Sequence, residues 1–87
     1  MNQFITFKEK NTNGKSSQRS INIANIVSVF VSAASWSFYT ETLCVETSAH
    51  TFKFVLKKEE VVRLQQLFEE NRLDELCKTP VLYAGLG

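Results

Sequence analysis

The chain reads as an α+β domain: an antiparallel β-meander of four to five strands, then one C-terminal helix packed on one face, then a short apolar tail. Two observations predict this. Up to residue 57 the apolar residues recur mostly every second position among β-branched and aromatic types, the period of a half-buried strand. After it, Val61, Leu64 and Phe68 fall at i, i+3 and i+7, and Leu67 widens the stripe, so one helical face is apolar. Glu59, Glu60, Arg63, Gln66 and Glu69 fill the remaining arc. This is the one convincing helix available to cover a sheet.

Residues 3–7 (Gln-Phe-Ile-Thr-Phe) suit a first strand. From residue 9 to 18 no apolar residue occurs, and Asn13-Gly14 is a strong turn pair because both tolerate positive φ. A mobile polar loop over 9–18 is expected. Residues 19–23 alternate, with Ile21 and Ile23 on one face; Ala24-Asn25 turns or bulges the chain. Residues 26–34 alternate again, with Val27, Val29, Val31 and Ala33 on one side and Ser28, Phe30 and Ser32 on the other. Residues 36–47 place Leu43, Val45 and Thr47 opposite Cys44 and Glu46. After a short connection, Phe52, Phe54 and Leu56 point one way and Lys53, Val55 and Lys57 the other.

The helix that follows has no Ser, Thr, Asp or Asn cap, though Glu59 and Glu60 complement its dipole and Glu59 sits four residues before Arg63. Asn71-Arg72 reads as its stop. Leu73, Leu76 and Cys77 make a second short stripe, either a helix with shifted register or a fresh start, and Pro80 ends it. Residues 78–87 read as the tail. The whole chain of 87 residues is expected to be one domain, 1–87, with Met1 as a native start.

At this length roughly 60–65% of the unfolded surface is buried, so a core is within reach but stability is modest. A net charge of +1 gives no global bias toward nucleic acid or an anionic membrane. No apolar run of about 18 residues exists, which excludes a membrane-spanning helix. The first ten residues lack the pattern of an export signal, so a cytoplasmic protein with reduced thiols at Cys44 and Cys77 is expected. Its size and build suit a bacterial or phage product, or one from a mobile element, such as an inhibitor or adaptor; that is analogy, not a motif.

Enzyme chemistry finds little footing. His50 is the only histidine, and no paired Cys or His spacing for a metal occurs, so no metal and no cofactor is expected. Cys44 and His50 flank a turn and could meet across a hairpin as nucleophile and base, but a core thiol and a turn histidine explain them more simply. The paired glutamates lie on the polar arc of a helix, and no glycine-rich phosphate loop is present.

Two binding readings remain. Phe30, Trp36, Tyr39 and Val55 point to the face that a single helix leaves uncovered, a surface for a protein partner or for a homodimer. The bland alternative is that the first strand and the tail fold over that face. The other binding reading is a nucleic-acid-binding regulator: Lys8, Lys10, Lys15 and Arg19 straddle the polar loop, and Lys53, Lys57 and Lys58 lie on or after a strand, seven charges able to track phosphates.

Overall fold

The computed structural model describes residues 3–9, 17–32 and 38–83. The fold is α+β, with a C-terminal helix packed on a sheet. The strands are β1 (Phe4–Glu9), β2 (Gln18–Asn22), β3 (Ile26–Val31), β4 (Thr40–Thr47) and β5 (Thr51–Lys57), and a last strand, β6 (Val81–Tyr83), follows the helices α1 (Lys58–Glu69) and α2 (Leu73–Lys78).

The strands divide between two three-stranded sheets. One has the order β2-β1-β6, with β1 and β2 antiparallel and β1 and β6 parallel; the other is an antiparallel meander, β3-β4-β5. The meander expected from the sequence is thus broken after β2. The break is a single 3-10 turn at Ile23–Asn25, where Asn22 Oδ1 accepts from the Ala24 amide at 3.0 Å. That turn carries the chain from one sheet to the other, and it takes Ile23 out of the strand in which it was expected to continue.

Both sheets turn their apolar faces to one core. In the first sheet Ile5, Phe7, Ile21, Val81 and Tyr83 are buried. In the second, the cross-strand rows Val31–Leu43–Phe54 and Val29–Val45–Phe52 line the inner face, and Leu56 extends it. Phe7 stacks on Phe54 with ring centroids 3.9 Å apart, and Tyr83 meets Phe54 edge-on at 5.1 Å. Helix α1 closes the same core with Val61, Leu64 and Leu67, and α2 adds Leu76. β1 and β6 therefore pack on the helix-covered side of the meander.

Several local expectations are corrected. Phe68 was expected at the centre of the buried stripe with Leu64; it is only partly buried, and Leu67 takes that place. Val27 was expected on the inner face with Val29 and Val31. The register of β3 against β4 shifts between Ile26 and Ser28, which puts Val27 outside at 67% exposure and turns Ile26 inward instead. Arg63 pairs with Glu60 rather than Glu59. The apolar tail is a strand over Val81–Tyr83, aligned beside β1 and not loose.

The end of α1 has a specific cause. Asn71 sits at φ 55°, the Arg72 amide donates to the Leu67 carbonyl at 3.0 Å, and the Asn71 amide to that of Phe68 at 3.2 Å. Together these form a Schellman motif with Asn in the left-handed position. The helix breaks and restarts as α2, which Gln3 Nε2 anchors through Asp74 Oδ1 at 3.1 Å. Thr79 is extended, as a residue before proline must be, and Pro80 leads into β6.

Candidate functional site

The outward face of the meander follows from its register. Alternation turns Phe30, Cys44 and Lys53 to one side in a single row across the three strands, opposite the buried Val–Leu–Phe rows. The row before it is Ser28, Glu46 and Thr51, with Ser28 Oγ donating to Glu46 Oε1 at 3.0 Å. On the other side Thr42 stands opposite Val55. Phe30 therefore stands directly opposite Cys44 and Val55 diagonal to it, and Cys44 is only 2% exposed although it points away from the core. Phe30 itself is 45% exposed and Val55 half-buried.

Tyr39 precedes β4 at the end of this face, with its carbonyl accepting from the Lys58 amide at 3.1 Å, and its side chain is 82% exposed beside an equally exposed Phe38. Of the expected protein-binding residues, then, Phe30 and Val55 share one face and Tyr39 lies at its margin. Trp36 falls outside the described residues. Phe38 is a further large exposed aromatic, next to Tyr39 in sequence and not among the residues expected to bind.

The edges of the two sheets differ. The Ser32 amide donates to the Thr42 carbonyl at 2.9 Å. Bonded and non-bonded pairs alternate along an antiparallel ladder. Ser28, Phe30 and Ser32 therefore turn their backbone groups to β4, while Val29 and Val31 turn theirs outward. Among the described residues no strand lies on that side. A groove of about 310 Å³ runs along this edge between residues 26–29 and Gln65, Phe68 and Glu69 of α1.

The basic residues do not gather. Lys8 is exposed on the outward face of the first sheet, and Lys53 and Lys57 on that of the second. Those faces look away from each other across the shared core. Lys58 opens α1. Arg19 turns inward, its guanidinium 5.0 Å above the Phe52 ring, a cation–π contact. Lys10 and Lys15 lie outside the described residues, as do residues 10–16 of the 9–18 loop expected to be mobile; at its ends the Glu9 amide donates to the Ser17 carbonyl at 2.9 Å.

Cys44 and His50 do not face each other. The cross-strand neighbour of Cys44 is Lys53, and His50 sits in the β4–β5 turn, its ring edge-on to Phe52 at 4.6 Å. Thr47 builds that turn: its Oγ1 accepts from the His50 amide at 3.0 Å and donates to the His50 carbonyl at 2.8 Å. Both cysteines are free thiols. Burial, aided by Asp74, pushes the Cys77 thiol above its ordinary pKa, the opposite of what activates a nucleophile. Among the described residues no cluster of His, Cys, Asp and Glu could hold a metal, and no helix is long and apolar enough to cross a membrane. No protein-family model, curated protein or solved structure matches the chain.

Proposed function

We propose that the chain is a non-enzymatic protein-interaction module, an adaptor or inhibitor acting in the cytoplasm, that docks through the outward face and edge of its β3-β4-β5 sheet. The observation carrying this reading is the Phe30, Cys44 and Val55 cluster on a face that neither the helices nor the second sheet covers. A half-exposed Phe beside a buried thiol, with the exposed Phe38 and Tyr39 just ahead of β4, is a surface of the kind that aromatic anchors make at interfaces. Hydroxyl and charged groups around it, Ser28, Thr42, Glu46, Thr51 and Lys53, form a polar surround.

The alternative, a nucleic-acid-binding regulator using the basic residues, has weaker support. Lys8 and the Lys53/Lys57 pair lie on opposite sides of the molecule, and Arg19 is engaged with Phe52.

Capture with the wild-type chain as bait, after nuclease treatment and with Phe30→Ser as the paired control, tests the reading. The expected outcome is a protein retained by wild type, lost with Phe30→Ser, and insensitive to salt. Retention that vanishes with nuclease and falls steeply with salt would favour the phosphate-binding alternative.

A further inference from the structure

We infer that the partner of the β3 edge is a second copy of the chain, paired antiparallel through β3 about a two-fold axis at Phe30. This rests on the reading of the β3-β4-β5 sheet as a protein-docking surface and names what docks there.

Sheet edges that stay solitary are usually guarded by charge, by brevity or by a neighbour. Among the described residues, the other sheet edges are guarded by charge, brevity or a neighbour. β2 carries Arg19, β6 is three residues long, and β5 carries Lys53 and Lys57 and lies against β6, where Phe54 meets Tyr83. β3, Ile-Val-Ser-Val-Phe-Val, carries no charge and no proline; its bulge at Val27 and the flank of α1 lie toward its start, and Phe30 and Val31 are beyond both.

The absence of charge also selects the partner. In a pairing of like with like, β2 or β5 would set Arg19 or Lys53 near its own image. β3 sets only neutral residues together.

The hydrogen-bond register then closes on itself. Val29 and Val31 are the residues whose backbone groups point outward. About a two-fold at Phe30, Val29 of one copy lies opposite Val31 of the other, and each bonded pair meets two outward-pointing residues. Phe30 meets its own image in a non-bonded pair, where side chains come closest. The two meanders become one six-stranded sheet with both Phe30 rings at the centre of its outward face.

Helix α1 lies beside one half of this edge only. It flanks residues 26–29, so the antiparallel second copy brings its own helix to the other half of the seam. The groove beside Phe68 is left to receive Val31 of the second copy.

The strip is about 20 Å long and about 10 Å deep. By itself that falls short of the ~800 Å² per partner of a standard stable interface, so the dimer is concentration-dependent, with the groove and the Phe30 pair adding to it.

Sedimentation equilibrium of the wild-type chain from micromolar to millimolar should show monomer giving way to dimer, and Phe30→Lys, which sets two cations together at the axis, should shift the mass back to monomer. In the same wild-type samples, hydrogen exchange of the Val29 and Val31 amides should slow as the dimer fills.

A cross-link tests the register. Non-bonded antiparallel pairs have Cα atoms about 4.5 Å apart, within disulfide range. With Cys44 and Cys77 replaced by Ala, Phe30→Cys should oxidise to a covalent dimer, and Ser20→Cys on β2 should not.

A wild-type chain monomeric at millimolar concentration overturns the inference. So does a dimer in which the Val29 and Val31 amides exchange as in the monomer. Neither result touches the docking reading beneath, which falls on a separate result: no protein captured by wild type and lost with Phe30→Ser.

Discussion

Phe54 is the side chain on which the two sheets meet. It stacks on Phe7, takes the edge of Tyr83, and is itself fully buried. Phe7→Ala should therefore cost about 3–5 kcal/mol, because it removes a buried ring and leaves a cavity between sheets that cannot both collapse inward. Chemical denaturation measures it; a cost under about 1 kcal/mol would mean that the sheets are held elsewhere. The thiols offer a second check at this scale. Cys44 is buried and burial pushes the Cys77 pKa up, so at a pH near that of an ordinary thiol Cys77 holds less thiolate than free cysteine. Both should alkylate slowly in the native chain at pH 8, and both rapidly in denaturant. Fast native labelling of Cys77 would show an accessible, activated thiol instead.

Helix α1 is set by its ends as much as by its stripe. It starts at Lys58, with Lys57 as an N-cap that makes no side-chain hydrogen bond, and stops at the Schellman motif, where Asn71 holds φ 55°. A β-branched residue is strained there, so Asn71→Val should destabilise by ~1–2 kcal/mol and Asn71→Gly should not. Urea titration of the two variants separates a backbone effect from a lost side-chain contact, which Gly would also lose. β6 is the other element whose role exceeds its length. Its Val81 and Tyr83 are buried between β1 and β5, and the Tyr83 hydroxyl donates to Ser17 Oγ at 3.4 Å. Ending the chain after Lys78 should remove that strand and abolish cooperative unfolding, as seen by the loss of dispersed amide resonances. A truncated chain that still melts sharply would show the first sheet to be stable as two strands.

On the scale of the whole molecule, one core is shared by two sheets and two helices, and among the described residues the outward face of the meander lies outside it. Phe30→Ser should then leave the unfolding free energy within about 1 kcal/mol, since a half-exposed ring on that face contributes little to the core. Calorimetry below the association range reads this directly. Unfolding at room temperature would place Phe30 in the core and remove the docking surface.

The sequence by itself determined the elements. Alternation at Leu43, Val45, Phe52, Phe54 and Leu56 named the inner face of β4 and β5, and the 3.6-residue stripe at Val61 and Leu64 named the buried side of α1, because burial on one face imposes a period on the residues that supply it. The uncovered face was legible for the same reason: Phe30 and Val55 have the opposite parity. Only the tertiary structure decided how those elements meet. The Val27 bulge and the turn at Ile23–Asn25 change register and sheet through backbone hydrogen bonds, which hydrophobic period does not record. The pairing of Val81–Tyr83 beside β1 joins residues more than seventy positions apart, and nothing local in either segment specifies a parallel partner. The open edge of β3 likewise exists only once the other strands have taken their neighbours, since an edge is defined by what does not pair with it.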